Sequence, residues 1–467
     1  MSAITDPKRE RAVRGGRVVL PDGVVEADLV FRGGRVLRLE APGATPGSGD
    51  IDARGLHVMA GMIDPHVHMR DPGQTSLDDF QTCTAAAAIG GVTTVFDMPN
   101  TVPAVASDEI LRAKAEYLQP RARVDFALYG GAGASNAAQI VGLARAGAIA
   151  FKSFMNAPAP GAPEDNWSRC LADDHAFLTA MRQIAATGLM GILHAESEAI
   201  CAEMTWALRQ AGRIDPMAHG EARPPHAEEE AVGRAILLAR TAGARIGIAH
   251  VSTAGALARI REARGRGQPV AAEVCPHHLL LTEARMAELG PYAKINPPLR
   301  PESDRAALWA ALAEGVVDYI GSDHAPYADA AKAAGLAEIW RAPSGVHGVE
   351  TVLPLLLDAA AAGRIGLPAL TRLVSRNVAR LFGLHPRKGE LIPGADADFL
   401  LVDMNRPGRI DRQRLHSLSR DAARLWDGHQ TRAAIVTTWL RGTEIAREGQ
   451  ILAAPGQGRF LHGGAAA

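Results

Sequence analysis

Short apolar runs alternate with Ala- and Leu-rich segments through the middle of the chain, from about residue 57 to residue 384. The segments between the runs have the length and apolar spacing of helices, as at 77–89, 107–117, 227–242 and 304–314. The alternation occurs about eight times, and the predicted strands begin near Met59, Val92, Val124, Ile149, Met190, Ile246, Val270 and Val317. Eight successive β-α units predict an α/β fold whose parallel strands close into a (β/α)8 TIM-like barrel.

Both ends of the chain have a different pattern, in which short strands are separated by turns. A Pro-Asp-Gly turn at 21–23 separates two apolar runs, and the same texture returns after about residue 385, as at 398–403 and 433–440. We therefore expect one small β-sandwich domain, built from residues 1–56 and 385–467, beside a barrel of residues 57–384. A doubly wound open sheet is the competing architecture, but no G-x-G-x-x-G motif follows the first strand.

The composition indicates a large globular protein, because 47% of the 467 residues are hydrophobic. The 50 Lys and Arg residues nearly cancel the 51 Asp and Glu residues, so no net charge selects nucleic acid or an anionic membrane. The four cysteines form no C-x-x-C pair, and no run reaches the roughly 18 apolar residues of a membrane span. These features predict a protein of the reducing cytoplasm without a nucleic-acid or membrane partner.

Candidate metal ligands stand at the ends of the apolar runs. His66 and His68 close the first run, and because side chains i and i+2 of a strand point to the same side, both imidazoles can face one point. Four further candidates each close a run of their own: Lys152, His194, His250 and Asp323. The C-terminal strand ends of a barrel share one face, where the active site lies. Nitrogen and carboxylate ligands delivered to that face suit zinc or a similar divalent ion.

A series of short motifs occurs in order along nearly the whole chain. The motifs are DPHVHMRDPG at 64–73, GGVTT at 90–94, DMPNT at 97–101, FKSFM at 151–155, HAE at 194–196, HVS at 250–252, PHHL at 276–279, NPPLR at 296–300 and SDHAP at 322–326. With these motifs the chain resembles the amidohydrolase superfamily, and within it the cyclic amide hydrolases that include dihydroorotase, allantoinase and hydantoinase. The motifs are most similar to those of dihydroorotase.

The resemblance implies a centre of two divalent metal ions, expected to be zinc. The more buried ion would be held by His66, His68 and Asp323, and the more exposed ion by His194 and His250. Lys152 would be carbamylated by carbon dioxide, and the new oxygens would bridge the two ions. Nearby cations favour the neutral and then the anionic, carbamylated form of a lysine. Asp323 is the expected general base, which passes a proton from the attacking hydroxide to the leaving amide nitrogen.

The resemblance also implies a substrate that carries a carboxylate. Arg70 and Asn100 match positions at which dihydroorotases grip that group, and an arginine fork suits a planar carboxylate. Asn296 either contacts the ring or forms the turn before the two prolines that follow it. Tyr327 stands where many dihydroorotases have a third carboxylate contact, a histidine, and its phenol can donate to the same group. The expected enzyme is a dihydroorotase of pyrimidine synthesis, which interconverts dihydroorotate and N-carbamoyl-aspartate.

Two other functions stay open. An enzyme with the same chemistry can act on allantoin, a hydantoin or another cyclic ureide. One residue argues against a hydantoinase: hydantoinases have a tyrosine five residues beyond the bridging lysine, where this chain has Ala157. A non-catalytic scaffold is disfavoured because all six metal-site residues are present. In each catalytic case the partner is a small molecule, and we expect a homo-oligomer.

Overall fold

The computed structural model describes residues 9–43, 50–158 and 164–463. Its strands are, in chain order, β1 (Arg11–Leu20), β2 (Gly23–Arg32), β3 (Arg35–Glu40), β4 (Ile51–Asp52), β5 (His57–Ala60), β6 (Met62–Val67), β7 (Val92–Asp97), β8 (Asp125–Leu128), β9 (Gly130–Gly131), β10 (Phe151–Phe154), β11 (Met190–His194), β12 (Arg245–Ile248), β13 (Val270–Val274), β14 (Tyr319–Ile320), β15 (Phe399–Asp403), β16 (Gly408–Arg409), β17 (Gln430–Thr431), β18 (Ala434–Leu440), β19 (Thr443–Arg447) and β20 (Gln450–Ile451). Residues 1–8 and 464–467, which the sequence assigns to the small domain, lie outside the described ranges.

The α-helices lie mainly between the strands of the middle region. They are, in chain order, α1 (Phe80–Ile89), α2 (Asp108–Leu118), α3 (Ile140–Arg145), α4 (Asp174–Thr187), α5 (Glu198–Gln210), α6 (Met217–Glu221), α7 (Pro225–Ala242), α8 (Ala254–Gly265), α9 (Pro276–Leu280), α10 (Ala284–Leu289), α11 (Glu302–Ala313), α12 (Asp329–Ala333), α13 (Val352–Ala361), α14 (Leu367–Thr371) and α15 (Asn377–Leu381). Capping residues set several of the helix starts. The segment predicted at 77–89 begins as a helix only at residue 80, because the Asp79 side chain accepts a hydrogen bond from Thr82 N.

Two parallel sheets form the centre of the molecule. One has the strand order β14-β13-β12-β11-β10-β9 and the other the order β6-β7-β8. Residues 125–131 run from β8 in one sheet directly into β9 in the other. At the opposite edges, Val67 of β6 forms a parallel bridge with His324, which follows β14, and His68 N donates to His324 O at 2.7 Å. The two sheets are therefore linked at both edges, with the strand order that the eight β-α units predict.

The two ends of the chain contribute to one nine-stranded sheet, with the order β20-β19-β18-β15-β5-β1-β2-β3 and β4 beside β1. The sheet coils on itself, because the Phe31 ring of β2 lies 5.7 Å from the Phe399 ring of β15, and Phe399 stacks on Trp439 of β18 at 5.2 Å. The sequence predicted a small β-sandwich domain built from both chain ends. The long strand β1 instead pairs with β2 on one side and with both β4 and β5 on the other, which joins the strands into one sheet.

The apolar run at 57–67 was predicted as one strand beginning near Met59, but it divides at Gly61. Strand β5 before the glycine pairs with β1 and β15 of the nine-stranded sheet, whereas β6 after it pairs with β7. A Cβ atom at Gly61 would lie 2.3 Å from Thr93 Oγ1, so the crossing between the two sheets requires glycine. His66 therefore lies in a strand that begins at Met62, and His68 directly follows the last residue of that strand.

A buried ionic cluster connects the two regions. The Lys388 ammonium lies 2.5 Å from Oδ2 of Asp125, the first residue of β8, 2.6 Å from Asp398 Oδ2 and 3.0 Å from Asp396 Oδ2, and its side chain is 1% exposed. Because burying charges without partners costs several kcal/mol, removal of one member of this cluster would destabilise the protein. It ties the C-terminal segment to a central strand.

The four cysteines are free thiols, and all four are buried. Among the helices of the described residues, none has the length and apolar character needed to cross a membrane.

Candidate active site

All six predicted ligand residues line one cavity of about 260 Å³: His66, His68, Lys152, His194, His250 and Asp323. They come from five strands or from the residues that closely follow them. His66 and His68 stand at the end of β6, Lys152 lies in β10, and His194 is the last residue of β11. His250 and Asp323 follow β12 and β14 by two and three residues. The structure thus brings together side chains that are up to 257 positions apart in the sequence, counted from residue 66 to residue 323.

His66, His68 and Asp323 form the first group. The Nε2 atoms of His66 and His68 lie 3.1 and 3.4 Å from Asp323 Oδ1, and the ligand atoms of the three side chains lie within 4.8 Å of one another. His66 Nδ1 donates to Glu273 Oε1 at 2.8 Å, which leaves Nε2 available to a metal. Burial lowers the pKa of His66 to about 3, so its imidazole is neutral, the form that binds metals.

His194 and His250 form the second group. His194 Nδ1 lies 3.0 Å from His250 Nε2, and His194 Nε2 donates to Glu196 Oε2 at 2.8 Å. Glu196 also pairs with Arg223, which lines the same cavity. Burial opposes ionisation of Glu196, but Arg223 and His194 outweigh it and hold the pKa of this carboxyl well below its usual value. The second group therefore has a charged carboxylate that orients His194 and leaves Nδ1 facing His250.

Lys152 lines the same cavity in a wholly buried position. Its side-chain nitrogen has no hydrogen-bond partner among the described residues, and the Phe154 ring centroid lies 5.1 Å away. Burial lowers the pKa of Lys152 to about 8, although Glu273 and Asp323 act against the shift. A buried amine with a lowered pKa and no hydrogen-bond partner in the described ranges fits the chemistry of a lysine that is carbamylated beside metal ions.

Three residues of the cavity have a left-handed backbone, which is costly for side chains other than glycine. The φ angles are 62° at Arg70, 38° at His250 and 48° at Asp323. Such strain persists only where the surrounding structure holds it, and it concentrates at functional sites. The strand ends at this cavity are therefore shaped to direct particular side chains inward.

The four predicted substrate contacts also line the cavity: Arg70, Asn100, Asn296 and Tyr327. The Oδ1 atoms of Asn100 and Asn296 are buried and have no partner among the described residues. Arg70 Nε donates to Pro326 O at 3.3 Å, and its guanidinium lies over the Tyr327 ring, 4.6 Å from the centroid. Asn296 both faces the cavity and precedes Pro297, so its two expected roles are compatible.

Sequence reasoning gave no role to Glu196, Glu273 or Arg223. The i, i+2 spacing of His194 and Glu196 at a strand end was a usable signal, because it puts both side chains on one side. For Glu273 the sequence contained a weaker signal, namely a single glutamate within the apolar run of β13. The structure shows that this glutamate is fully buried. Nothing around Arg223 in the sequence distinguishes it from a surface arginine.

Comparison with known proteins places this architecture in a family. Residues 57–445 match the Amidohydrolase family. The L-hydantoinase of Paenarthrobacter aurescens is 34% identical over 452 residues, which cover 96% of this chain and 97% of the relative. An allantoinase of Solibacter usitatus is 38% identical over 447 residues, covering 95% and 94%. The solved structure of L-hydantoinase (dihydropyrimidinase) from Arthrobacter aurescens has a TM-score of 0.93 at 34% identity and covers 97% of this chain and 99% of that one.

These similarities change the expected substrate. The relatives carry the names allantoinase and hydantoinase, which favours the alternative cyclic-ureide function over the dihydroorotase that the motifs predicted. Similarity over 96% of the chain outweighs the single residue Ala157, which had argued against hydantoinase. The expectation of an enzyme is confirmed, and the non-catalytic scaffold is excluded with it. The chain belongs to the amidohydrolase family and is a hydrolase that acts on cyclic amides.

Proposed function

We propose that this protein hydrolyses the ring amide of a cyclic ureide of the allantoin or hydantoin class. The observation that carries the proposal is the convergence of six ligand-type side chains, including the unpartnered amine of Lys152, on one cavity. Whole-chain similarity to an L-hydantoinase and to allantoinases supports the substrate class. A cyclic ureide has ring N–H groups, and the two unpartnered amide oxygens of Asn100 and Asn296 suit them as acceptors.

The donor set fits two divalent ions, which we propose to be zinc. His66, His68 and Asp323 would hold one, His194 and His250 the other, and the carbamate formed on Lys152 from carbon dioxide would be shared. When bound, such ions lower the pKa of a coordinated water and polarise the carbonyl that it attacks.

The protein supplies the proton transfer and the orientation. The carboxylate of Asp323 reaches the cavity with 15% of its side chain exposed. It is placed to take the proton of the attacking water and to deliver it to the leaving ring nitrogen, which cannot depart as an anion. Glu273 and Glu196 hold the imidazoles of His66 and His194 in fixed orientations.

We further infer that the two linked parallel sheets form one (β/α)8 barrel, with the cavity at the C-terminal ends of its strands. Because β5 belongs to the nine-stranded sheet, the barrel would begin at about residue 61 rather than 57. A cytoplasmic homo-oligomer remains part of the proposal, and the four buried free thiols agree with a reducing compartment.

Dihydroorotate is the second candidate substrate, and Arg70 is the specific observation that favours it. Its guanidinium lines the cavity, and no carboxylate of the described residues pairs with it. A carboxylate on the ring would supply that partner.

The test is a substrate comparison with enzyme reconstituted with zinc and bicarbonate. Hydrolysis of allantoin, hydantoin and dihydroorotate is measured beside cyclisation of N-carbamoyl-aspartate, with Asp323→Asn as the control for contaminating activity. We expect allantoin or hydantoin to give the highest kcat/KM. A preference for dihydroorotate would reverse the order of the two candidates, and no wild-type activity above that of Asp323→Asn on any ring would refute both.

A further inference from the structure

Arg70 is buried, and none of the described residues supplies a counter-charge to it. It is 7% exposed, and the one hydrogen bond of its side chain to the described residues is from Nε to the carbonyl oxygen of Pro326. No acidic side chain of the described residues lies within ion-pair distance of the guanidinium. Burial of an unpaired charge is costly, so an arginine in this position is stable when it faces a cavity that water or an anion can enter.

The ring of Tyr327 is the second group that contacts the Arg70 guanidinium, beside the carbonyl oxygen of Pro326. The Arg70 guanidinium carbon lies 4.6 Å from the ring centroid, within the range of a cation–π contact. Because Tyr327 directly follows Pro326, one short segment supplies both the acceptor for Nε and the aromatic face. The remaining guanidinium N–H groups are left to the cavity.

The position of the ring is itself determined by its neighbours. A Cβ atom at Gly345 would lie 2.8 Å from Tyr327 Cε2, so the ring packs directly against a residue that has no side chain. The ammonium of buried Lys332 lies 6.0 Å from the ring centroid and donates to Lys294 O and Pro343 O. Tyr327 is thus held with its face, rather than its hydroxyl, toward Arg70.

We propose that Tyr327 is a positioning residue: its ring face holds Arg70 in the orientation in which the cavity selects ring substrates with an anionic substituent. The inference rests on the proposed function, because it concerns the same cavity, but it assigns the role to the aromatic face and not to the phenol. The sequence alone suggested the opposite, a hydroxyl that donates to the anion.

The experiment measures a preference rather than an activity. The substrates are a hydantoin with a carboxymethyl substituent and the matching carboxamide, which has nearly the same shape and no charge. For each enzyme, kcat and KM are determined on both rings, and the ratio of the two kcat/KM values is the readout. Tyr327→Phe keeps the ring face and removes the hydroxyl, whereas Tyr327→Leu removes the face.

We expect the carboxylate preference of Tyr327→Phe to stay within about twofold of wild type. In Tyr327→Leu it should fall about 3- to 30-fold, the range of one cation–π contact, through KM and not kcat. An equal fall in both variants would assign the role to the hydroxyl and overturn the inference. Equal losses on both rings in Tyr327→Leu would show a merely structural role and overturn it as well.

A double-mutant cycle tests whether Tyr327 acts through Arg70. In an Arg70→Ala background, Tyr327→Leu should change the preference no further, because the contact is already lost. A further fall there would mean that Tyr327 meets the anion directly. Folding of Tyr327→Leu is judged by its melting temperature and metal content. If this variant fails to fold, Tyr327→Met replaces it, because methionine also lacks an aromatic ring.

Binding separates this inference from the proposed function. The proposed function is judged by its own assay on allantoin and hydantoin. If the wild type hydrolyses neither of the two substituted rings, calorimetric Kd values for these rings replace kcat/KM as the readout. The wild type and Tyr327→Phe should then bind the carboxylate ring more tightly than the carboxamide, and Tyr327→Leu should lose the difference. Equal affinities in the wild type would overturn the inference.

Discussion

Two buried glutamates each orient one imidazole of the proposed metal centre, and replacing them separately tests how the centre is built. Glu273 accepts from His66 Nδ1 and Glu196 accepts from His194 Nε2, both at 2.8 Å. The two bonds leave opposite ring nitrogens available to a metal. We predict that Glu273→Gln weakens binding of the ion held by His66, that Glu196→Gln weakens binding of the ion held by His194, and that each variant leaves the other ion in place.

The magnitude follows from the burial of the two carboxylates. Loss of a carboxylate that orients a metal-binding histidine lowers metal affinity about 10- to 100-fold, which is about 1.4 to 2.8 kcal/mol. Glu273 is fully buried and Glu196 is 3% exposed, so water does not compensate for the lost negative charge and we expect the upper half of that range. Glu196→Gln should be the more severe change, because it also removes the ion-pair partner of Arg223.

The assay counts zinc per chain by plasma emission spectrometry across a series of zinc buffers. Wild type should hold two ions per chain, and each glutamine variant should release one of them at a higher free zinc concentration than wild type. Glu350→Gln is the matched control, since Glu350 accepts from His416 Nδ1 at 3.1 Å outside the cavity. Wild-type zinc retention in both test variants, or an equal loss in the control, would refute the reasoning.

Three further outcomes are expected. Lys152→Ala should lower zinc content and activity together, with partial recovery when a short carboxylic acid is added; full zinc and activity would exclude the bridge. Asp323→Asn should keep its fold by circular dichroism and lose about 10²- to 10⁴-fold in kcat, the range for a general base, and normal turnover would place the base elsewhere. Lys388→Met should lower the free energy of unfolding in urea by about 3 to 5 kcal/mol, because it removes the ammonium shared by three buried carboxylates and leaves Asp398 without an ion-pair partner among the described residues; an unchanged midpoint would contradict this.

The pattern of the sequence was sufficient for the central strands and for the residues at their ends. Hydrophobic periodicity reports burial, and in parallel strands buried on both faces the apolar run stops where the chain leaves the sheet. The first charged or imidazole side chain after each run then lies at the C-terminal end of a strand. For this reason His194, His250 and Asp323 could be placed at one cavity without coordinates.

The sequence motifs were less useful for predicting the substrate. The motifs that contain the proposed ligands describe the chemistry, which related enzymes share, and the resemblance of Arg70 and Asn100 alone led to dihydroorotase. The cavity wall also includes side chains outside those predictions, such as Glu198 and Arg223. Similarity over the whole chain samples such positions as well, and it favours allantoin or hydantoin.

Only the tertiary structure decided how the ligand residues are supported and where the chain changes sheet. Glu273 meets His66 across 207 positions, and the Tyr327 ring meets the Arg70 guanidinium from a distant strand end. Gly61 divides one apolar run between two sheets because Thr93 leaves no space for a side chain. By itself the sequence determined which residues are buried and which follow a strand, since these properties are local. Contacts between distant segments depend on the packing of the whole fold, and no local pattern encodes them.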